Sequence, residues 1–139
     1  MEEDIGQVGV RVAVLSGRSS QAVASRCRDL KIPDTLVIQG SRDKDADLDR
    51  LVAVAGVDDA QVAAIGDDLQ DLPMLARAGF AACPADAVGE VQAMCAYVCR
   101  ANGGHGAVRE VAELILKAQR RWLDEVGHWL EAGGRADDA

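Results

Sequence analysis

The stretch Val62-Ala63-Ala64-Ile65-Gly66-Asp67-Asp68-Leu69-Gln70-Asp71 runs from a short apolar segment through a glycine straight into two carboxylates, with a third three residues on. A short apolar run closed by glycine reads as a buried strand of a parallel sheet, delivering its acids to the carboxyl-terminal rim. Carboxylates grouped there are costly unless a cation meets them. A hard divalent cation such as Mg²⁺ takes oxygen ligands and keeps one or two protein carboxylates together with phosphate oxygens. The stretch therefore reads as half of a metal and phosphate site, and the other half must come from elsewhere in the chain.

Upstream, Val10 to Leu15 is a strand candidate rich in β-branched residues that closes on Ser16-Gly17-Arg18-Ser19-Ser20. Ser19 or Ser20 then caps a helix through about Leu30, and Lys31-Ile32-Pro33-Asp34 turns the chain into a second strand, Thr35 to Ile38. Ser41-Arg42-Asp43-Lys44-Asp45 opens another helix, whose inward stripe is Leu48, Leu51, Val52 and Ala55 before Gly56 ends it. Downstream, Leu72 to Gly79 is a short helix with Pro73 in its first turn, and Phe80 to Cys83 is a fourth strand. A helix from Pro84 to about Met94 and an edge strand from Ala96 to Cys99 follow. After the loop Asn102-Gly103-Gly104-His105-Gly106, one helical pattern extends from Ala107 to about Leu130. Strand and helix alternate throughout, which is the pattern of a doubly wound, mostly parallel α/β sheet.

The 139 residues suit one domain, and a 49% hydrophobic content is enough for a core, built from aliphatic residues because aromatics are only 3%. A net charge of −8 argues against nucleic acid or an anionic membrane surface, both of which select clustered Lys and Arg. No apolar run is long enough to cross a bilayer and Met1-Glu2-Glu3-Asp4 is acidic, so a cytoplasmic location is expected. Cys27, Cys83, Cys95 and Cys99 form no CxxC pair and read as small buried hydrophobes; a zinc site from Cys95, Cys99 and His105 is the weaker alternative. The expected organisation is an α/β domain over 1–118, an extension of the last helix over 119–132 and a disordered tail over 133–139. Trp122 and Trp129 fall on a seam of that helix, which suits packing on a partner or folding back on the same subunit.

In an open parallel sheet, ligands sit beyond the carboxyl ends of the strands. Ser16, Lys44, Asp67, Asp68 and Asp71 all fall there. A hydroxyl can donate to a phosphate oxygen, a lysine can neutralise phosphate charge and a carboxylate can hold Mg²⁺. Taken singly, Ser16 reads as a turn residue and Lys44 as surface charge; their shared placement at strand ends is the stronger signal. A signalling receiver is disfavoured, because no acidic pair follows the first strand.

The combination resembles the haloacid dehalogenase superfamily, and within it the small cap-less phosphatases acting on 3-deoxy-D-manno-octulosonate 8-phosphate. Val12-Ala13-Val14-Leu15-Ser16-Gly17-Arg18 is similar to the family's second motif, Gln39-Gly40 with Asp43-Lys44 to its third, and Gly66-Asp67-Asp68-Leu69-Gln70-Asp71-Leu72-Pro73 to its fourth. The segment Asn102 to Glu110 is similar to the glycine-rich loop and final helix, with His105 where Arg is more usual. The resemblance covers roughly Gly9 to Gln119. It implies a Mg²⁺-dependent phosphomonoesterase for a small phosphorylated sugar acid, with Ser16, Gly17 and Lys44 on the phosphoryl group and Asp67 on the metal. Asp68 and Asp71 would position Lys44 or the metal's waters. It also implies a homo-oligomer, by analogy a tetramer.

Family members open with a hydrophobic strand ending in Asp-x-Asp, which supplies the attacking carboxylate and the general acid and base. Nothing before Val10 matches it, since Asp4 follows Glu2-Glu3 with no apolar run in front. Without that group the covalent step has no nucleophile, so the chain is expected to be inactive alone. In the family's sheet the strand lies between the Val10 and Val62 strands. Three arrangements are then open: those strands pair directly, another polypeptide fills the place, or the chain is an N-terminally truncated fragment. The last is favoured here, and an in-frame upstream sequence encoding such a strand would support it. The alternative from another class is a catalytically silent oligomerisation module, like the phosphatase-like domain fused behind CMP-sialic acid synthetases.

Overall fold

The computed structural model describes residues 10–119, an alternation of five short parallel strands and five α-helices. Strand β1 (Val14–Leu15) pairs with β2 (Val37–Ile38), and β3 (Ala63–Ile65), β4 (Phe80–Cys83) and β5 (Tyr97–Val98) pair in that order. Every pairing is parallel, so each crossover must carry the chain back along a face of the sheet. Those returns are α1 (Gln21–Asp29), α2 (Lys44–Ala55), α3 (Leu72–Arg77) and α4 (Gly89–Met94), and α5 (Ala107–Ala118) follows β5.

The sheet is in two pieces, β1-β2 and β3-β4-β5. Among the described residues β1 does not pair with β3, so of the three arrangements open to the sequence direct pairing is the one not adopted. The amides of Gly66 and Phe80 bond across to Ala82 and Val62, which turns the even-numbered residues of β3 towards β4. Because backbone groups alternate in direction along a strand, Ala63 and Ile65 then turn theirs to the opposite edge. Ser16 exchanges bonds with Ile38 and Ser41, so by the same alternation Ala13 and Leu15 turn theirs away from β2. Ala63 is exposed, which an interior strand of a parallel sheet would not be.

Helices hold the two pieces together. On one face Leu48 of α2 shares a cluster with Ala64, Met74, Leu75, Ala81, Cys83, Ala87 and Val91, and Leu15 packs against it. On the other, Ala82, Cys99, Ala107 and Val111 form a cluster with Ile65 and Phe80 against it. The period of two along β4 places Ala81 and Cys83 under α2 to α4, and Ala82 under α5. Ala112 and Leu116 of α5 reach across to Val10 and Val12, so both faces are bridged by side chains where no ladder among the described residues joins the strands.

Several boundaries differ from the sequence expectation. Only Val14–Leu15 of the Val10 to Leu15 run is strand, and Thr35 and Leu36 lie in a 3₁₀ turn that starts behind Pro33. The helix expected from Pro84 begins at Gly89, because the Ala85 and Val88 amides bond to the carbonyls of Ala101 and Asp67. Ser20, not Ser19, caps α1, accepting from the Val23 amide at 3.3 Å. The extension over 119–132 falls outside the described residues apart from Gln119, which ends α5, and Trp122, Trp129 and the 133–139 tail lie wholly outside them.

Candidate phosphate and metal site

Asp71 is the organising side chain of the rim. Its Oδ2 accepts from the amides of Asp67 at 3.0 Å and Asp68 at 3.2 Å, and its Oδ1 meets the ammonium of Lys44. Both side chains are buried, with 8% of Asp71 and 9% of Lys44 exposed. Burial pushes the Asp71 carboxyl up, but Lys44 and the two amides together outweigh it and hold the group below the usual carboxylate range. The approach is so close that a Cβ on Gly66 would sit 2.6 Å from Asp71 Cβ, which is why the residue before the acid pair is glycine.

Lys44 is the first residue of α2, and Asp43 caps that helix by accepting from the Ala46 amide at 3.1 Å. The Lys44–Asp71 pair therefore joins the segment after β2 to the segment after β3, across the break in the sheet. Ser16 enters the same rim from β1. Its amide donates to Ile38 O and its carbonyl accepts from the Ser41 amide, both at 2.9 Å. Ser16 Oγ accepts from the Arg18 amide at 3.1 Å, which leaves its hydroxyl hydrogen to donate outward. Gly17 lies against Gln70 and Ser41: a Cβ there would be 3.3 Å from Gln70 Oε1 and 3.5 Å from Ser41 O.

The expected residues thus divide. Ser16, Gly17, Lys44 and Asp71 are linked through Ser41, Gln70 and the amides of Asp67 and Asp68. Asp68 turns its carboxylate back to the Leu69 amide at 2.7 Å as a cap, so of the two positioning acids it is Asp71 that meets Lys44. Asp67 is exposed, and its carboxylate has no hydrogen bond or ion pair among the described residues. It is thus the acid of the three left available to a cation. Among those residues no group of three or more His, Cys, Asp and Glu is arranged to hold a metal, so a cation at Asp67 must draw its other oxygens from phosphate, water or groups beyond them. The chemistry of the donor fits Mg²⁺ as a partial site.

The Cys95, Cys99 and His105 alternative has no such support. Burial pushes the Cys95 thiol up to about 12 and the Cys99 thiol to about 11, which disfavours the thiolates a metal requires. His105 Nδ1 lies 3.1 Å from the carbonyl of Gly103.

Some organising residues were not anticipated. Glu110 accepts from the amides of Arg100 and Ala101 and from the Tyr97 hydroxyl at 2.5 Å, and Asp86 accepts from the Gly103 amide at 2.8 Å. These two acids hold the glycine-rich loop beside the Asp67 segment, which is tied to Val88. Arg77 joins Asp45, Asp49 and Asp59 on the outside of α2 and α3. A helix-spaced pattern would show the glutamate, but the Arg77 partners come from separate elements and leave no local signal.

The chain is an α/β domain with a split parallel sheet and a lysine–carboxylate pair at its strand ends, and residues 35–111 match the haloacid dehalogenase-like hydrolase family model. The chain belongs to that family. Among curated proteins it is 41% identical over 110 residues to the 3-deoxy-D-manno-octulosonate 8-phosphate phosphatase of Yersinia pestis, covering 79% of this chain and 58% of that protein. The Escherichia coli enzyme of the same name is 38% identical over 116 residues, covering 84% of this chain and 60% of the relative. The chain thus spans about three fifths of the length of these relatives. The crystal structure of the Moraxella catarrhalis phosphatase, in complex with magnesium ion, phosphate ion and KDO, superposes with a TM-score of 0.85 at 37% identity. It covers 91% of this chain and 72% of that one. No helix among the described residues is long and apolar enough to cross a membrane.

Proposed function

We propose that this chain carries the phosphate and metal half of a Mg²⁺-dependent phosphomonoesterase site for a phosphorylated sugar acid of the 3-deoxy-D-manno-octulosonate 8-phosphate type. The observation that carries it is the Lys44–Asp71 pair, which brings a cation from one sheet and a carboxylate cluster from the other to one rim. In this reading Lys44, held in place against Asp71, turns its remaining N–H groups to the phosphoryl oxygens. The Ser16 hydroxyl donates to the same group beside the Gly17 backbone. Asp67 is the protein ligand to Mg²⁺, which when bound neutralises phosphate charge. Asp71 orients Lys44 and the Asp67 backbone together, acting on the substrate only through them.

The attacking group is not supplied by these residues, since Asp71 is engaged and Asp68 is turned to its own turn. An extended segment seated between β1 and β3 would emerge between Ser16 and Asp67, from where a carboxylate could reach phosphorus. The 139-residue chain is therefore expected to bind inorganic phosphate in a Mg²⁺-dependent way while showing no turnover of 3-deoxy-D-manno-octulosonate 8-phosphate. Turnover that is lost in Asp67→Ala would overturn the assignment of a missing nucleophile. Sedimentation at micromolar concentration accompanies it: a tetramer with no Mg²⁺ binding would favour the silent oligomerisation module instead.

A further inference from the structure

Beside Lys44 opens a pocket of about 370 Å³ lined by Ser41, Arg42, Asp43, Lys44, Asp45, Gln70 and Pro73. Its volume lies in the range of small-molecule sites. Two of its walls already belong to the rim, because Gln70 touches Gly17 and Lys44 faces Asp71. A molecule held by its phosphoryl end at Ser16 and Lys44 can therefore extend into this pocket.

The charges that line the pocket are not equally free. Asp43 is engaged as the helix cap, Asp45 pairs with Arg77 at 3.3 Å, and Lys44 is held by Asp71. The side chain of Arg42 is exposed and makes no hydrogen bond or ion pair among the described residues. Arg42 is thus the one cationic side chain lining this pocket that has no carboxylate partner among the described residues. Its planar fork matches a carboxylate through two parallel hydrogen bonds, which a hydroxyl cannot reproduce. The Gln70 amide, also without a hydrogen-bond partner among the described residues, can donate to and accept from hydroxyl groups along the way.

We propose that Arg42 is a specificity-determining residue that holds the carboxylate of a phosphorylated hydroxy acid, with Gln70 reading its hydroxyls. This rests on the phosphate and metal assignment above and adds to it the end of the substrate remote from phosphorus. The sequence alone does not show it, because Arg42 and Gln70 are separated by a whole helix and strand and meet only at the rim.

The test compares Mg²⁺-dependent binding of three probes to the full chain by calorimetry: inorganic phosphate, a neutral sugar phosphate, and a phosphorylated sugar acid of similar length. The wild-type chain should bind the acid on the order of 10-fold or more tighter than the neutral ester. Arg42→Met should remove that preference and leave inorganic phosphate unchanged, and Arg42→Lys should restore only part of it. Equal binding of the acid and the neutral ester by the wild type overturns the proposal while leaving the phosphate site standing. An equal loss for all three probes in Arg42→Met also overturns it, by making the residue a general source of charge. Failure of inorganic phosphate to bind the wild type would instead overturn the underlying site, and the proposal with it. Arg42 is exposed, so its variants are expected to fold.

Discussion

The two pieces of the sheet finish their strands in opposite ways. At the end of β3 a buried carboxylate is satisfied by two amides and an ammonium, whereas the end of β1 is fixed by backbone bonds between Ser16, Ile38 and Ser41. The β3 end is stiff because three donors converge on one acid. The β1 end borrows its position from β2. What joins them is the side-chain cover of α2 and α5, the buried Lys44–Asp71 pair at the rim and the exposed pairs from Arg77 to α2, with no strand ladder between them among the described residues. Position at the site is thus set by helix packing and one buried charged link at the rim.

The largest effect should follow from cutting that link on one side. Asp71→Ala leaves Lys44 buried without a partner and two amides without an acceptor, and should cost about 3–5 kcal/mol in urea unfolding. Replacing both members, Lys44→Met with Asp71→Leu, should recover much of the stability while abolishing phosphate binding. If the single substitution is nearly neutral, the ion pair does not join the halves. Next is the helix bridge: Leu116 is fully buried in the cluster with Val10 and Val12, and Leu116→Ala should cost about 2–5 kcal/mol. A hydrogen-exchange map of that variant should show protection lost first around β1.

The glycine-rich loop offers a pH test. Hydrogen bonds from Tyr97 and the Arg100 and Ala101 amides hold the Glu110 carboxyl below its usual range. A group with a depressed folded value stabilises above its unfolded value, near 4.5, and that contribution is lost as pH falls through the folded one. Amide protection at Arg100 and Ala101 should therefore weaken below about pH 4.5 in the wild type, and be weak at neutral pH in Glu110→Ala. Protection that does not change would remove Glu110 as the loop's anchor. The smallest effect is expected at Arg77, whose carboxylate partners are largely exposed. Arg77→Met should lower the melting temperature slightly in low salt and less in high salt.

Much of this was legible from residue order. The Phe80–Cys83 strand and the helix from Lys44 to Ala55 with Gly56 behind it stand where pattern and caps put them. These segments carry their determinants locally: a continuous apolar run in one case, an Asp43 cap and a left-handed Gly56 in the other. The β1 strand is shorter than its apolar run because Val10 and Val12 pack their side chains on α5 while one backbone edge has no strand beside it among the described residues. The acids at 67, 68 and 71 were visible as a group, and the resemblance set Asp68 and Asp71 together beside Lys44; that Asp71 alone meets the lysine while Asp68 caps its own turn was not visible. Which of them caps, pairs or stays available depends on where Lys44 arrives, and that is set by tertiary packing.

The most direct test titrates inorganic phosphate into the chain with and without Mg²⁺, comparing wild type, Asp67→Asn and Lys44→Met by phosphorus NMR. Binding that requires Mg²⁺, disappears in Asp67→Asn and weakens at least about 10-fold in Lys44→Met is the predicted result. Phosphate binding that ignores the metal and survives Asp67→Asn would contradict the assignment of that rim as a joint metal and phosphate site.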